Sequence, residues 1–179
     1  MITEQDYNRM VEDCKRIAVD FKKTLKQSSE NLDTTNENYL DEFGVSEEEI
    51  YTLFERLKNA MGVKSKLCFF RDNDEEYGRY NESTDTILLP YCICYYLVED
   101  IVKHMTHELY HAFQYNVICK PEYYPYIDSE TIKKWDYEFK HYVSGTKDMQ
   151  QYLSQEIEKT ARNFAQLIAE AGKLPKLAY

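Results

Sequence analysis

Between Pro90 and Pro121 one helical pattern carries the pentapeptide His107-Glu108-Leu109-Tyr110-His111, a combination that constrains the fold more than any other feature of the chain. The apolar positions Leu97, Ile101, Val102, Met105, Leu109, Ala112 and Phe113 recur at three- and four-residue intervals, which predicts one buried helical stripe. On such a helix His107 and His111 project from one face, the spacing at which a single rigid element offers two imidazoles to one metal ion. Glu108 lies beside them and is the candidate general base, able to take a proton from a metal-bound water.

The flanking segments predict what surrounds this helix. From Thr3 to about Gln27, residues Tyr7, Met10, Val11, Cys14, Ile17, Ala18, Phe21 and Leu25 form an amphipathic stripe, interrupted by a polar stretch over 28–38. Ser46 followed by Glu49 is a capping-box signature, and Ile50, Leu53, Phe54 and Leu57 continue a second helix that stops near Gly62. Both read as scaffold helices packed on a sheet. Three β-prone runs follow, over 66–71, 77–80 and 84–89. They are separated by Asp72-Asn73-Asp74 and Asn81-Glu82-Ser83 turns, and they predict a small antiparallel sheet closed by Pro90.

Lys120-Pro121 and Tyr124-Pro125 end the motif helix. Ser129 is the expected cap of a helix carrying Ile132, Trp135, Tyr137 or Phe139, and Val143, ending near Gly145. Thr146 is expected to open a last helix with Tyr152, Leu153, Ile157, Ala161, Phe164, Ala165 and Ile168 as its inward stripe, up to Gly172. The order predicts a single α+β domain over residues 1–179. It comprises a helical layer (1–62), a small sheet (63–90), the motif helix (91–119) and closing helices (129–172).

A net charge of −10 and a pI near 4.9 argue against a nucleic-acid partner, which needs a concentrated basic face. The Met-Ile-Thr-Glu-Gln-Asp start lacks a basic segment followed by an apolar run, and no stretch of about 18 apolar residues occurs, so a cytoplasmic chain with no membrane partner is expected. Five cysteines then read as reduced and mostly buried. Cys92-Ile93-Cys94 is given a packing role, because zinc clips place two residues between their thiols. Seventeen tyrosines suggest aromatic surfaces with polar tips around a cleft or interface.

A catalytic zinc site takes three protein ligands and keeps a fourth position for water. Downstream suppliers are Glu156, Glu158 and His141. At 100° per residue Glu158 lies about 80° from the centre of the last helix's apolar stripe, and Glu156 about 120° away on the other side. Glu158 is therefore the more inward carboxylate. Ala161 and Ala165 share its face and would let the two helices approach closely, whereas Glu156 shares a face with Thr160 and Asn163.

Glu158-Lys159-Thr160-Ala161-Arg162-Asn163-Phe164-Ala165 resembles the Glu-x-x-Ala-x-x-Phe-Ala helix of the ImmA/IrrE-type zinc metallopeptidases, a compact branch of the gluzincins. Gly78-x-Tyr80 followed by Ile87-x-Leu89 is similar to the strand that precedes the motif helix in that family, so the resemblance spans about residues 77–165. It implies a zincin-like fold in which Glu158 completes a Zn2+ site with His107 and His111. Tyr110 departs from it, standing where many members have glycine, and the segment 121–151 is longer than the family's usual connection.

These observations predict a zinc metallopeptidase of narrow specificity acting on a protein or peptide. The strand over 84–89 is expected to pair with an extended substrate, making Thr86, Ile87 and Leu88 the substrate-binding residues. The alternative is a zinc-stabilised regulatory or protein-binding module with little turnover. His104, one turn before His107, reads as a packed histidine, and His141 as a solvent-facing one. Tyr110, Tyr115, Tyr126 and Tyr142 are candidates for an oxyanion-stabilising hydroxyl, with core packing the default for each; Trp135 reads as an anchor.

Overall fold

The structure, a computed structural model, describes residues 1–30, 44–71 and 78–172. Among these, six α-helices and three strands follow the order α1 (Glu4–Glu30), α2 (Glu47–Met61), β1 (Lys66–Phe70), β2 (Arg79–Asn81), β3 (Thr86–Pro90), α3 (Val98–Cys119), α4 (Ser129–Lys140), α5 (Met149–Ser154) and α6 (Glu156–Ala169). Short 3-10 turns at Tyr91–Tyr95 and Pro121–Tyr123 flank α3. The class is α+β and predominantly helical. The Asp72-Asn73-Asp74 turn, Tyr77 and most of the expected 28–38 break lie outside the described residues.

Local chemistry starts and stops the helices. At α2 the Ser46 hydroxyl accepts from the Glu49 amide at 3.2 Å and Glu49 Oε2 accepts from the Ser46 amide at 2.9 Å, which satisfies two otherwise orphaned donors. Gly62, in the left-handed region at φ 66°, ends that helix. The chain leaves α3 through Lys120 into Pro121, whose ring cannot continue an α-helix.

The motif helix is the centre of the molecule. Ile101, Val102, Met105, Leu109 and Val117 are fully buried, each worth about 1.5–3 kcal/mol of removed apolar surface. Helices α1, α2, α4 and α6 and strand β2 surround it, and α3 with α6 makes the most extensive contact between elements. Ala161 and Ala165 on α6 are fully buried, which permits that close approach. The N-terminal helices thus pack on helices, with α1 against α2, α6 and α3. α2 also meets the sheet, where the Tyr51 ring lies edge-on to Phe69.

Four expectations are corrected. The sheet is mixed and ordered β1-β3-β2: β3 runs parallel to β1 and antiparallel to β2. Alternating apolar residues fix which face of a strand is buried but carry no information on the direction of its neighbours. The motif helix begins at Val98, so Leu97 is its exposed N-cap residue and takes no part in the stripe. Asp128, not Ser129, caps α4, accepting from the amides of Glu130 and Thr131. The expected closing helix is two helices, α5 and α6, broken at Gln155 (φ −60°, ψ 132°). There the Gln155 amide accepts from the Val143 N–H and donates to the Val143 carbonyl, both at 2.9 Å, and that clamp fixes the break.

The cysteines are free, but only Cys14 and Cys94 are buried; Cys68, Cys92 and Cys119 are exposed. Burial pushes the Cys14 thiol up to about 12, which marks it as inert. No helix among the described residues is long and apolar enough to cross a membrane.

Candidate metal centre

His107, Glu108 and His111 occupy the middle of α3, and Glu158 stands in the first turn of α6, where the helix dipole favours a carboxylate. His107 Nε2 lies 3.1 Å from His111 Nε2, and the two nitrogens lie 3.3 and 3.4 Å from Glu158 Oε2 and Oε1 respectively. Among the described residues these three side chains form a group that could hold a metal ion. Bonds of 2.0–2.1 Å at tetrahedral angles put ligand atoms about 3.3 Å apart; the two imidazole nitrogens stand 3.1 Å apart, and each faces its own Glu158 oxygen at a comparable distance.

The energetics also fit a cation. Glu158 is 1% exposed, and its Oε2 is buried with no hydrogen-bond partner. A buried oxygen left without a donor costs about 1–3 kcal/mol. Burial opposes its charge, yet the imidazoles of His107 and His111 that face it outweigh burial and hold the carboxyl well below the usual range. For His111 burial likewise favours the neutral form, but Glu158 and then Glu108 prevail and raise it. A cation among these side chains would offset the charge of the buried Glu158 carboxylate.

Other side chains complete the setting. Tyr142, on the turn after α4, donates its hydroxyl to Glu158 Oε1 at 2.8 Å. Arg162 Nη1 lies 3.6 Å from Glu158 Oε2, one turn along α6, with its guanidinium over the Tyr152 ring. Both tyrosines are raised well above the ordinary phenol value, first by burial and then by the Glu158 carboxylate. His111 Nδ1 lies 2.8 Å from Gln114 Oε1.

A cavity of about 260 Å3 opens at the triad, walled by Gly78, Arg79 and Tyr80 of the sheet edge and by Phe139, Tyr142 and Tyr152. A second, of about 270 Å3, continues past His107, Glu108 and Tyr152 to Lys103, His104 and Arg162. Glu108 borders both and is 6% exposed. A Cβ on Gly78 would meet Leu89 Cδ2 at 2.7 Å and Glu108 Cγ at 3.5 Å, so the sheet edge beside this glutamate is closely packed.

The structure brings His107, His111, Glu158 and Glu108 together as the sequence predicts. Glu156 faces outward and pairs with Lys134. His104 turns back on its own helix, Nδ1 2.7 Å from the Asp100 carbonyl, and His141 stacks on Tyr137. Of the four oxyanion candidates only Tyr142 borders the triad's cavity. Tyr110 is buried against Phe164, Tyr126 packs on Tyr7, and Tyr115 lines a different cavity.

The substrate-strand expectation is corrected. β3 is the central strand, and Thr86, Ile87 and Leu88 pair with Lys66, Leu67 and Cys68 on one side and Asn81, Tyr80 and Arg79 on the other. Its edges are used within the sheet, and β2 is the outer strand beside the cleft. The sequence reading missed Gln114 and Tyr152. Gln114, a polar residue amid buried ones three positions after His111, is a usable signal; Tyr152 is hidden because its stripe is indistinguishable from core. Comparison with protein-family models, curated proteins and solved structures found no match for this chain.

Proposed function

We propose that the chain is a zinc metallopeptidase of narrow specificity, with His107, His111 and Glu158 as ligands and Glu108 as general base. The observation that carries this reading is the convergence of His107 Nε2, His111 Nε2 and the two Glu158 carboxylate oxygens, at separations of 3.1, 3.3 and 3.4 Å, beside a further glutamate, Glu108, that borders the same cavity. The sequence resemblance to ImmA/IrrE-type metallopeptidases in α6 supports it, as does a zincin-like order of sheet edge, motif helix and ligand helix.

A zinc ion bound there would supply a water of lowered pKa, about 7, and polarise a carbonyl. Glu108, at the wall shared by both cavities, takes the proton of the attacking water and passes it to the leaving amine. Tyr142 holds Glu158 through its hydroxyl and stands within the cavity, where it can donate to the oxyanion that develops on the substrate. An extended substrate would pair with β2, whose Arg79 and Tyr80 line the cleft.

Metal analysis and a proteome-derived peptide library, read by mass spectrometry for new N-termini, test this reading. Wild type should hold about one zinc per chain and cut the library; Glu108→Gln should keep the metal and lose cleavage by about a thousandfold or more. A wild type that binds no zinc sinks the proposal. Zinc without cleavage would favour the binding-module alternative.

A further inference from the structure

Gln114 lies outside the pentapeptide, yet every polar atom of its side chain is committed. It is fully buried on α3, and its Nε2 donates to the Ile157 carbonyl at 3.0 Å and to Thr160 Oγ1 at 2.8 Å. The Ile157 carbonyl can only accept, so the NH2 end of the amide must face α6. Thr160 gives the same direction, because its hydroxyl proton goes to the Glu156 carbonyl at 2.7 Å and leaves the oxygen to accept.

With the NH2 end fixed, Gln114 Oε1 is the atom 2.8 Å from His111 Nδ1. An amide oxygen only accepts, so Nδ1 must carry a proton. A neutral imidazole has one N–H, and Nε2 of His111 is then left with its lone pair aimed at His107 Nε2 and Glu158. The orientation thus passes from two backbone carbonyls of α6, through Thr160 and Gln114, to the ring of His111.

The geometry points to Gln114 as a positioning residue that sets the tautomer of His111 and so presents Nε2 as a ready metal ligand. The same side chain joins the helix of the two histidines to the helix of Glu158, at the first turn where Glu158 stands. This inference rests on the metal-site reading above. Partners of this kind typically change metal affinity ten- to a hundredfold.

The test uses the full chain labelled with 15N-histidine. Only four histidines are present, and His111→Asn assigns the signal. In metal-free protein in alkaline buffer, long-range 1H–15N correlation should report the Nδ1–H form of His111, replaced in Gln114→Met by the Nε2–H form or a mixture. Zinc affinity by chelator competition should fall about ten- to a hundredfold in Gln114→Met. Thr160→Val, which leaves the Ile157 bond in place, should keep the wild-type tautomer and most of the affinity. An Nε2–H wild type overturns the inference, and so does a folded Gln114→Met that binds zinc like wild type. Should Gln114→Met fail to fold, the wild-type tautomer decides. A wild type in the Nδ1–H form that takes up no zinc overturns the metal reading and leaves the role of Gln114 in orienting His111 supported.

Discussion

Leu89 Cδ2 occupies the space a side chain on Gly78 would need, 2.7 Å from the position of a Cβ there. The Leu88 carbonyl is also tight at 3.2 Å, while Glu108 Cγ at 3.5 Å would be in ordinary contact, so this end of the sheet packs beside Glu108 with room for little more than backbone against Leu88 and Leu89. Gly78→Ala should press on Leu89 and displace the sheet edge where it borders Glu108. We expect zinc content unchanged, stability lower by about 1–3 kcal/mol and turnover lower by about tenfold or more. Metal analysis alongside kcat/KM on an identified peptide checks this; an active, stable Gly78→Ala would show that the contact is slack.

Tyr142→Phe keeps the ring in the cleft and removes the hydroxyl that donates to Glu158 Oε1 at 2.8 Å. Zinc affinity should fall by up to about tenfold, and turnover should fall further if the hydroxyl also serves the oxyanion. Chelator competition separates the two effects, since the first alone would be overcome by added zinc.

Tyr110 fills a position where a glycine would leave a gap. Its ring is buried, stacks on Phe164 with centroids 4.6 Å apart, and its hydroxyl meets Tyr7 at 3.4 Å, so it ties α3 to α6 and α1. Tyr110→Ala should cost about 3–5 kcal/mol and Tyr110→Phe about 1 kcal/mol, read from urea unfolding. Equal costs would mean that the hydroxyl contact, not ring packing, holds the helices.

The metal-free protein should have an uneven pH profile. The Glu158 carboxyl is held below its ordinary 4.5, so its contribution is present above that value and is lost as pH falls. His111 is raised above its ordinary 6.5, so its contribution is full below that value and is lost as pH climbs through the folded-state value. Thermal midpoints in chelator should therefore decline on both sides of the 4.5–6.5 interval. Zinc should abolish the alkaline decline, because the deprotonated ring is the ligand form. A chelated protein that gains stability from 6.5 upward contradicts the pairing.

The helices and the triad were legible because each rests on local rules. Ser46 and Glu49 are three residues apart, His107 and His111 four, and Glu158 shares a helix face with Ala161 and Ala165. What was illegible depends on partners distant in sequence. Nothing local says that β3 lies between β1 and β2, since its alternation is the same in either place. Nor does Gln155 announce a helix break, because the break is held by Val143, twelve residues away. Placing Thr86, Ile87 and Leu88 at a free edge failed for the first of these reasons.

The break at Gln155 also divides labour along the chain. The three side chains that could hold a metal ion belong to α3 and α6, whereas Tyr142 and Tyr152 reach the cleft from the stretch between α4 and α6. The contact between Gln155 and Val143 closes that stretch at the start of α6, so Tyr142 and Tyr152 line the cleft from outside the ligand helices. Exchanging either tyrosine would therefore reshape the wall of the cleft without replacing any of the three side chains that could hold a metal ion.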